Sequence, residues 1–253
     1  MSDESEFSNP PSRSQIRKLG SRLRKEEPAS LQDLELLEAV RNVYGGALGE
    51  VVRVLVNEGL APSFRLKTTQ TIIEKLQRNQ SMALTTMQDI AGARIVADMS
   101  RPDQDQMVQR VTTLFPQAQV VDRRIEPSYG YRAVHIIVNV SGYPVEIQVR
   151  THLQDLWAQL LERLADRWGR QIRYGEPPNP DREGQSGPSR QAVLDSVMAV
   201  SERIDQQERL QAAMVKLNEE LKGLVAKFEE AKLDLQKADA ETRSFFKNIG
   251  MST

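Results

Sequence analysis

The chain predicts an α+β fold with a mixed sheet, on three observations. Apolar residues at helical spacing intermix with short Val- and Ile-rich runs but without a regular βαβ repeat, which disfavours a Rossmann arrangement. Residues 132–140 and 143–150 flank Ser141-Gly142, a two-residue connection with the chemistry of a hairpin turn. A chain of 253 residues, 39% hydrophobic and 27% charged, is also long enough for one sizeable domain with an appendage, or for two small domains.

Taken in order, residues 1–30 read as a basic, flexible N-terminal arm. Arg13, Arg17, Lys18, Arg22, Arg24 and Lys25 lie there between Ser- and Pro-rich stretches, as a solvated segment or an RNA-binding element. From 31 to 60, Leu34, Leu37, Val40, Val43, Tyr44, Leu48, Val51, Val52 and Leu55 recur with a helical period, and Gly45, Gly46 and Gly49 are expected to bend or split that helix. A shorter helix over 69–78 turns Ile72, Ile73 and Leu76 inward. Strands follow over 93–97 and 118–122, with a helix over 103–115 between them that carries Met107, Val108, Val111 and Leu114 on one side. After the hairpin, 153–168 forms a helix that closes a domain spanning 31–173.

Residues 174–190, with four prolines and three glycines, read as a flexible linker. Beyond it, 191–253 forms a helical extension. Leu210, Met214, Leu217, Leu221, Leu224, Phe228, Ala231 and Leu235 alternate spacings of four and three, the seam of a coiled coil. Self-association through this seam stands beside two alternatives: packing back on the domain, or a hairpin with Val193, Val197, Val200 and Ile204.

The formal net charge of −1 gives no global attraction to nucleic acid or membrane, so any basic surface must be local. Without cysteine there is no disulfide framework and no thiolate metal site, and two histidines do not make a multi-histidine centre. No apolar run is long enough to span a membrane, and the Met-Ser-Asp-Glu start lacks the features of a signal peptide, so a cytoplasmic location is expected. Signatures of P-loop, dinucleotide-binding, zincin and hydrolase-elbow sites are missing from the sequence.

The residues left for chemistry form a phosphate-handling set. Arg65, Lys67, Lys75 and Arg78 gather around the start of the 69–78 helix, either as a solvated face or as an anion site where free backbone N–H groups add to the charge. Val145, Ile147 and Val149 alternate with Glu146, Gln148 and Arg150, which puts carboxylate, amide and guanidinium on the opposite face of one strand. Asp89, at the entry to a neighbouring strand, can share one Mg²⁺ with Glu146 if nucleotide phosphates complete the shell. Tyr131, after Gly130, reads either as a ring that stacks on a base or as a core tyrosine.

Across roughly 34–173 the chain resembles the synthetase domain of the RelA/SpoT family, in its short, single-domain form. Four ordered motifs carry the resemblance: Arg65-x-Lys67 with Lys75 and Arg78, Asp89-Ile-Ala-Gly-Ala-Arg94, Gly130-Tyr131-Arg132-Ala-Val-His135, and Glu146-Ile-Gln148-Val-Arg150-Thr151. Trp157-Ala158 and Glu162 continue it. The resemblance implies a nucleotidyltransferase-like sheet flanked by helices and a Mg²⁺-dependent GTP/GDP pyrophosphokinase that makes (p)ppGpp and AMP from ATP and GDP or GTP. It also implies roles: Arg65 and Arg94 around the adenine, Lys67, Lys75 and Arg78 on ATP phosphates, Asp89 and Glu146 on the metal, Glu146 as base, and Tyr131 on guanine. His135 and Gln148 would support the acceptor, and Arg123 and Arg124 are assigned its 5′ phosphates from charge and position. Pro127-Ser128-Tyr129 departs from the family's usual Pro-Lys-x-Asn-type segment and leaves GDP versus GTP open. Two other readings accompany this one: a toxin-type relative acting on ADP, ATP or the tRNA 3′ end, with tRNA or an antitoxin as partner, and a non-catalytic nucleotide-binding scaffold.

Overall fold

A hydroxyl residue caps the first turn of five helices. Ser12, Ser30, Thr68, Ser100 and Thr151 each accept a hydrogen bond from the backbone N–H three residues on, and at Ser12, Ser100 and Thr151 a reciprocal bond completes a capping box. The helices so started are α1 (Arg13–Leu23), α2 (Leu31–Asn57), α3 (Thr69–Arg78), α4 (Arg101–Leu114) and α5 (His152–Trp168). They surround strands β1 (Ser63–Leu66), β2 (Ala91–Ala97), β3 (Gln119–Asp122), β4 (Val134–Val140) and β5 (Tyr143–Thr151), and the chain ends in α6 (Arg190–Asn248). Short 3₁₀ turns occupy Leu84–Thr86 and Arg170–Tyr174. This computed structural model describes residues 10–25, 28–181 and 187–248.

The strands form one sheet in the order β1-β2-β5-β4-β3, in which β2 and β5 run parallel and every other pair antiparallel. It is therefore the mixed sheet of an α+β fold. Val145, Ile147 and Val149 are fully buried with Leu37, Val40, Tyr44, Val51 and Leu55 of α2 and Val111 of α4, so this face of β5 lies at the centre of the core. Burying one such side chain contributes roughly 1.5–3 kcal/mol, which is why the alternation decides which face of β5 points inward. The β4–β5 hairpin turns at Ser141 (φ 52°) and Gly142 (φ 91°), both left-handed, as a two-residue hairpin turn requires.

The structure corrects several expectations. Residues 13–23 of the presumed arm are a helix, because Ile16, Leu19 and Leu23 recur on one face and are buried in the main core. Its cations are partly used: Arg22 pairs with Asp33 at 2.6 Å, and Arg24 donates to the Met82 carbonyl at 2.8 Å. Residues 1–9, 26 and 27 of the expected arm lie outside the described residues. Helix α2 runs unbroken through Gly45, Gly46 and Gly49, since the burial of its apolar stripe outweighs the roughly 1 kcal/mol cost of each helical glycine. Strand β1 was not anticipated; its four residues are held by antiparallel pairing with β2 rather than by any local pattern.

The last correction concerns α6. The structure divides into two compact units, up to Asp205 and from Gln206. Within the first, Leu194 and Val197 of α6 are buried with Trp157, Leu161, Ala165 and Ile172, and the Trp157 indole donates to the Val197 carbonyl at 2.7 Å. Helix α6 is continuous over Arg190–Asn248, with no reversal for the expected hairpin. Residues 182–186 of the expected linker lie outside the described residues. Before them the chain is pinned rather than loose, with Asn179 N–H on the Trp168 carbonyl at 2.7 Å and Gln171 on the Pro177 carbonyl at 3.1 Å. No described helix is long and apolar enough to cross a membrane.

Candidate active site

The outward face of β5 opens into a cavity of ≈ 860 Å³, floored by β2 and β5 and walled by α3, α5 and the Arg170–Tyr174 turn. That size lies at the upper end for ligand pockets. Among the described residues lining it are eight cations (Arg65, Lys67, Lys75, Arg78, Arg94, Arg123, Arg150 and Arg173) against three carboxylates, Asp89, Glu146 and Glu162. In a chain whose net charge is −1, this local excess marks a site for polyanions.

Asp89 precedes β2 and accepts from both Lys67 and Lys75, each at 2.6 Å, through one oxygen, Oδ2. Burial alone would raise this carboxyl, but the two ammonium groups outweigh it and bring it down to about 2. Lys67 is itself lowered by burial, with Asp89 offsetting part of that. The second oxygen, Oδ1, is buried with no hydrogen-bond partner, an acceptor aimed at something the protein does not provide.

Beside it, five side chains close a ring. Gln148 Nε2 donates to Glu146 Oε2 at 2.6 Å, Arg150 Nη2 donates to Gln148 Oε1 at 2.6 Å and to the Tyr131 hydroxyl oxygen at 2.9 Å, Tyr131 bonds His135 Nε2 at 2.8 Å, and His135 Nδ1 returns to Glu146 Oε1 at 2.9 Å. Burial works to raise the Glu146 carboxyl, but the donors His135 and Gln148 pull it below its ordinary value, so it is ionised and only accepts. Nδ1 of His135 then carries the proton, and in a neutral imidazole Nε2 accepts from Tyr131 O–H. Strand pairing explains why the ring forms: His135 on β4 sits opposite Gln148, and Glu146 and Arg150 follow on the same face two residues either side.

Tyr131 is aimed by a tight turn. Ser128 and Tyr131 exchange both backbone hydrogen bonds around Tyr129 (φ 51°) and Gly130 (φ 79°). The Gly130 carbonyl accepts from the Ser201 hydroxyl, and a Cβ on Gly130 would stand 2.8 Å from Trp157 and 2.9 Å from Met198. On β1 and β2, Arg65 lies opposite Gly92 and diagonal to Arg94, with all three on the cavity face. Diagonal partners are about 7–8 Å apart, the width of a planar ring stacked between two guanidinium planes, and Gly92 leaves that gap unfilled.

The cavity thus brings together Arg65, Lys67, Lys75, Arg78, Asp89, Arg94, Arg123, Tyr131, His135, Glu146 and Gln148. Arg124 does not line it, and its assignment to acceptor phosphates is corrected: it is buried and spends its guanidinium on Asp122, Asp105 and Gln104. Residues missed as site members are Arg150, whose place two residues beyond Gln148 already signalled it, and Arg173 and Tyr174. Tyr174 takes the Arg78 guanidinium at 3.9 Å over its ring, and no local pattern announces that contact. Asp89 and Glu146 suit a shared Mg²⁺: Asp89 keeps an orphaned buried oxygen, and no third protein carboxylate joins them among the described residues, so phosphate and water oxygens would fill the shell.

The depressed carboxyl of Asp89 predicts an acid signature. Its folded value of about 2 lies below the ordinary 3.8, so its stabilising contribution is present above pH ~4 and is lost as pH falls through about 2. The pH-dependent part is about 2 kcal/mol at 1.36 kcal/mol per unit. In unfolding titrations between pH 5 and 2, the stability gap between wild type and Asp89→Asn should shrink by about that amount; a gap constant with pH would refute the Lys67–Asp89–Lys75 clamp.

The family model for the region found in RelA / SpoT proteins matches residues 64–165. Uncharacterized proteins of Mycobacterium tuberculosis and Mycobacterium bovis are 44% identical over 116 residues, which is 45% of this chain and 42% of theirs, so the match spans less than half the length of those relatives. Among solved structures, small alarmone synthetase 1 from Bacillus subtilis bound to its product pppGpp is 22% identical with a TM-score of 0.48, covering 68% of this chain and 93% of that one. Its AMPCPP complex is also 22% identical, with a TM-score of 0.41 and coverage of 68% and 93%. The matched residues 64–165 contain β2 to β5 and most of the cavity lining.

Proposed function

We propose that this domain transfers the β,γ-pyrophosphate of ATP to the 3′-hydroxyl of GDP or GTP, forming (p)ppGpp and AMP. The observation that carries the reading is a pair of electrostatically coupled, ionised carboxylates, Asp89 and Glu146, set among eight cations in one cavity of a RelA/SpoT region. Arg65 and Arg94 flank the adenine over Gly92. Lys67, Lys75 and Arg78 turn to the triphosphate, the two lysines exchanging Asp89 for phosphate oxygens. Tyr131 meets the guanine, with Arg123 on the acceptor phosphates.

Phosphoryl-type transfer asks the protein for positioning and charge neutralisation more than for covalent chemistry. Glu146 takes the 3′-hydroxyl proton; each of its oxygens accepts one protein hydrogen bond and keeps a second lone pair for this. The 3′ oxygen bonds to the β-phosphorus as the bond from that phosphorus to the α,β-bridging oxygen breaks, and the oxygen leaves on AMP. Mg²⁺, when bound, supplies charge neutralisation between the phosphates. His135 and Gln148 hold the Glu146 carboxylate in place, and Arg150 locks the ring from the far side.

Helix α1 docks through its apolar face and keeps Arg13, Arg17 and Lys18 exposed, so the assay below includes an RNA acceptor. The test is incubation of the protein with Mg²⁺, labelled ATP and, separately, GDP, GTP, ADP or tRNA. Label on GDP or GTP with equimolar AMP is expected; label on ADP or tRNA, or no transfer with any acceptor, overturns the reading.

A further inference from the structure

The second unit presents a long apolar stripe. Leu210, Met214, Leu217, Leu221, Leu224, Phe228 and Leu235 of α6 are each 56–73% exposed, far more contiguous apolar surface than a helix leaves in water without a partner. With their spacings of four and three, Met214, Leu221, Phe228 and Leu235 fall at heptad position a and Leu210, Leu217, Leu224 and Ala231 at d. We propose that this segment docks on the same segment of a second copy as an antiparallel two-helix coiled coil centred between Lys222 and Gly223. The inference is independent of the reaction proposed above.

Charge and volume select that arrangement. In a parallel pair each g residue faces the e residue of the partner's next heptad, which sets Lys227 against Lys232 and Asp234 against Asp239, two like-charge contacts on each side of the seam. An antiparallel pair sets g against g. Centred between 222 and 223, it faces Glu220 with Lys227 of the partner subunit, twice by symmetry, and whereas Lys216, Lys222, Lys232 and Lys237 each pair within the helix, Lys227 makes no such pair among the described residues. Moving the centre by half a heptad in either direction opposes Glu220 to its own copy or Lys227 to its own copy, so charge leaves one antiparallel register among the three.

Layer volumes agree. In the parallel arrangement Phe228 would face Phe228 and Ala231 would face Ala231, an overfilled layer next to an underfilled one. In the antiparallel register Leu210 pairs with Leu235, Met214 with Ala231, Leu217 with Phe228 and Leu221 with Leu224, so large residues meet smaller ones along the seam. The interface is isologous and closes as a dimer instead of propagating.

The absence of cysteine makes the register directly readable. In the full chain, M214C mixed with A231C under mild oxidant is expected to give a disulfide-linked dimer in high yield, whereas M214C alone gives little. Light scattering of the wild type at micromolar concentration should read twice 28.6 kDa, and L221K/L224K should return the mass to 28.6 kDa with the unfolding of the first unit unchanged. Efficient self-linking of M214C would show a parallel pair and overturn the proposal. A wild type that stays monomeric, or that scatters as a larger assembly unaffected by L221K/L224K, would overturn it as well.

Discussion

Glu146→Gln is expected to lower turnover by about 100-fold or more while leaving the protein folded. General-base catalysis alone is worth roughly 10²–10⁴ in rate, and the same change removes one of the two carboxylates proposed to hold Mg²⁺. The amide matches the carboxylate in volume but brings an NH₂ where His135 Nδ1 and Gln148 Nε2 both donate, so the ring closes again only if the His135 proton moves to Nε2 and Tyr131 accepts from both His135 and Arg150. The measurement is steady-state kinetics with ATP and GDP or GTP beside the thermal midpoint. A fall in kcat with ATP KM within a few-fold of wild type is the expected result, and near-wild-type kcat would remove Glu146 from the reaction.

Gly130→Ala should have the next largest effect, through geometry instead of charge. At φ 79° a side chain costs roughly 1–2 kcal/mol, and its Cβ would press on Trp157 and Met198 at under 3 Å, an overpacking worth about 1–3 kcal/mol more. The turn can relieve this only by swinging Tyr131 away from His135 and Arg150, or by lifting α6 from the Ser201 and Trp157 contacts that hold it. The expected outcome is a thermal midpoint several degrees lower and a rise of about tenfold or more in the acceptor KM, with the ATP KM nearly unchanged because Arg65, Lys67, Lys75 and Arg94 lie on other elements. If both KM values rose together, Tyr131 would not be an acceptor contact. If neither moved, the turn would not be aiming it.

These two residues differ in how openly the sequence showed them. Glu146 stood out because a strand alternates with a period of two: Val145, Ile147 and Val149 declare one face apolar, so Glu146, Gln148 and Arg150 must share the other. The α3 helix was legible to the residue for a related reason, an apolar stripe of Ile72, Ile73 and Leu76 within a single short period, and the structure adds the cap at Thr68. Gly130 stood in the sequence only as the residue before Tyr131. That its carbonyl would be held by Ser201, 71 positions later, has no local trace.

Where the reading from sequence failed, long-range contact was the deciding term. Basic residues around Ile16, Leu19 and Leu23 suggested a solvated arm, but an eleven-residue helix is marginal alone and is settled by the core it reaches. Arg123 and Arg124 looked equivalent, yet one lines the cavity and the other is consumed by Asp105 and Asp122. Local periodicity and capping are short-range and written in the chain, and by themselves they determined the α+β class, most elements and which face of β5 is polar. The closed ring around Glu146, the clamp of two lysines on Asp89 and the docking of α1 were decided by the tertiary structure alone, because each requires groups from separate elements to meet, and whether they do depends on how the whole core packs.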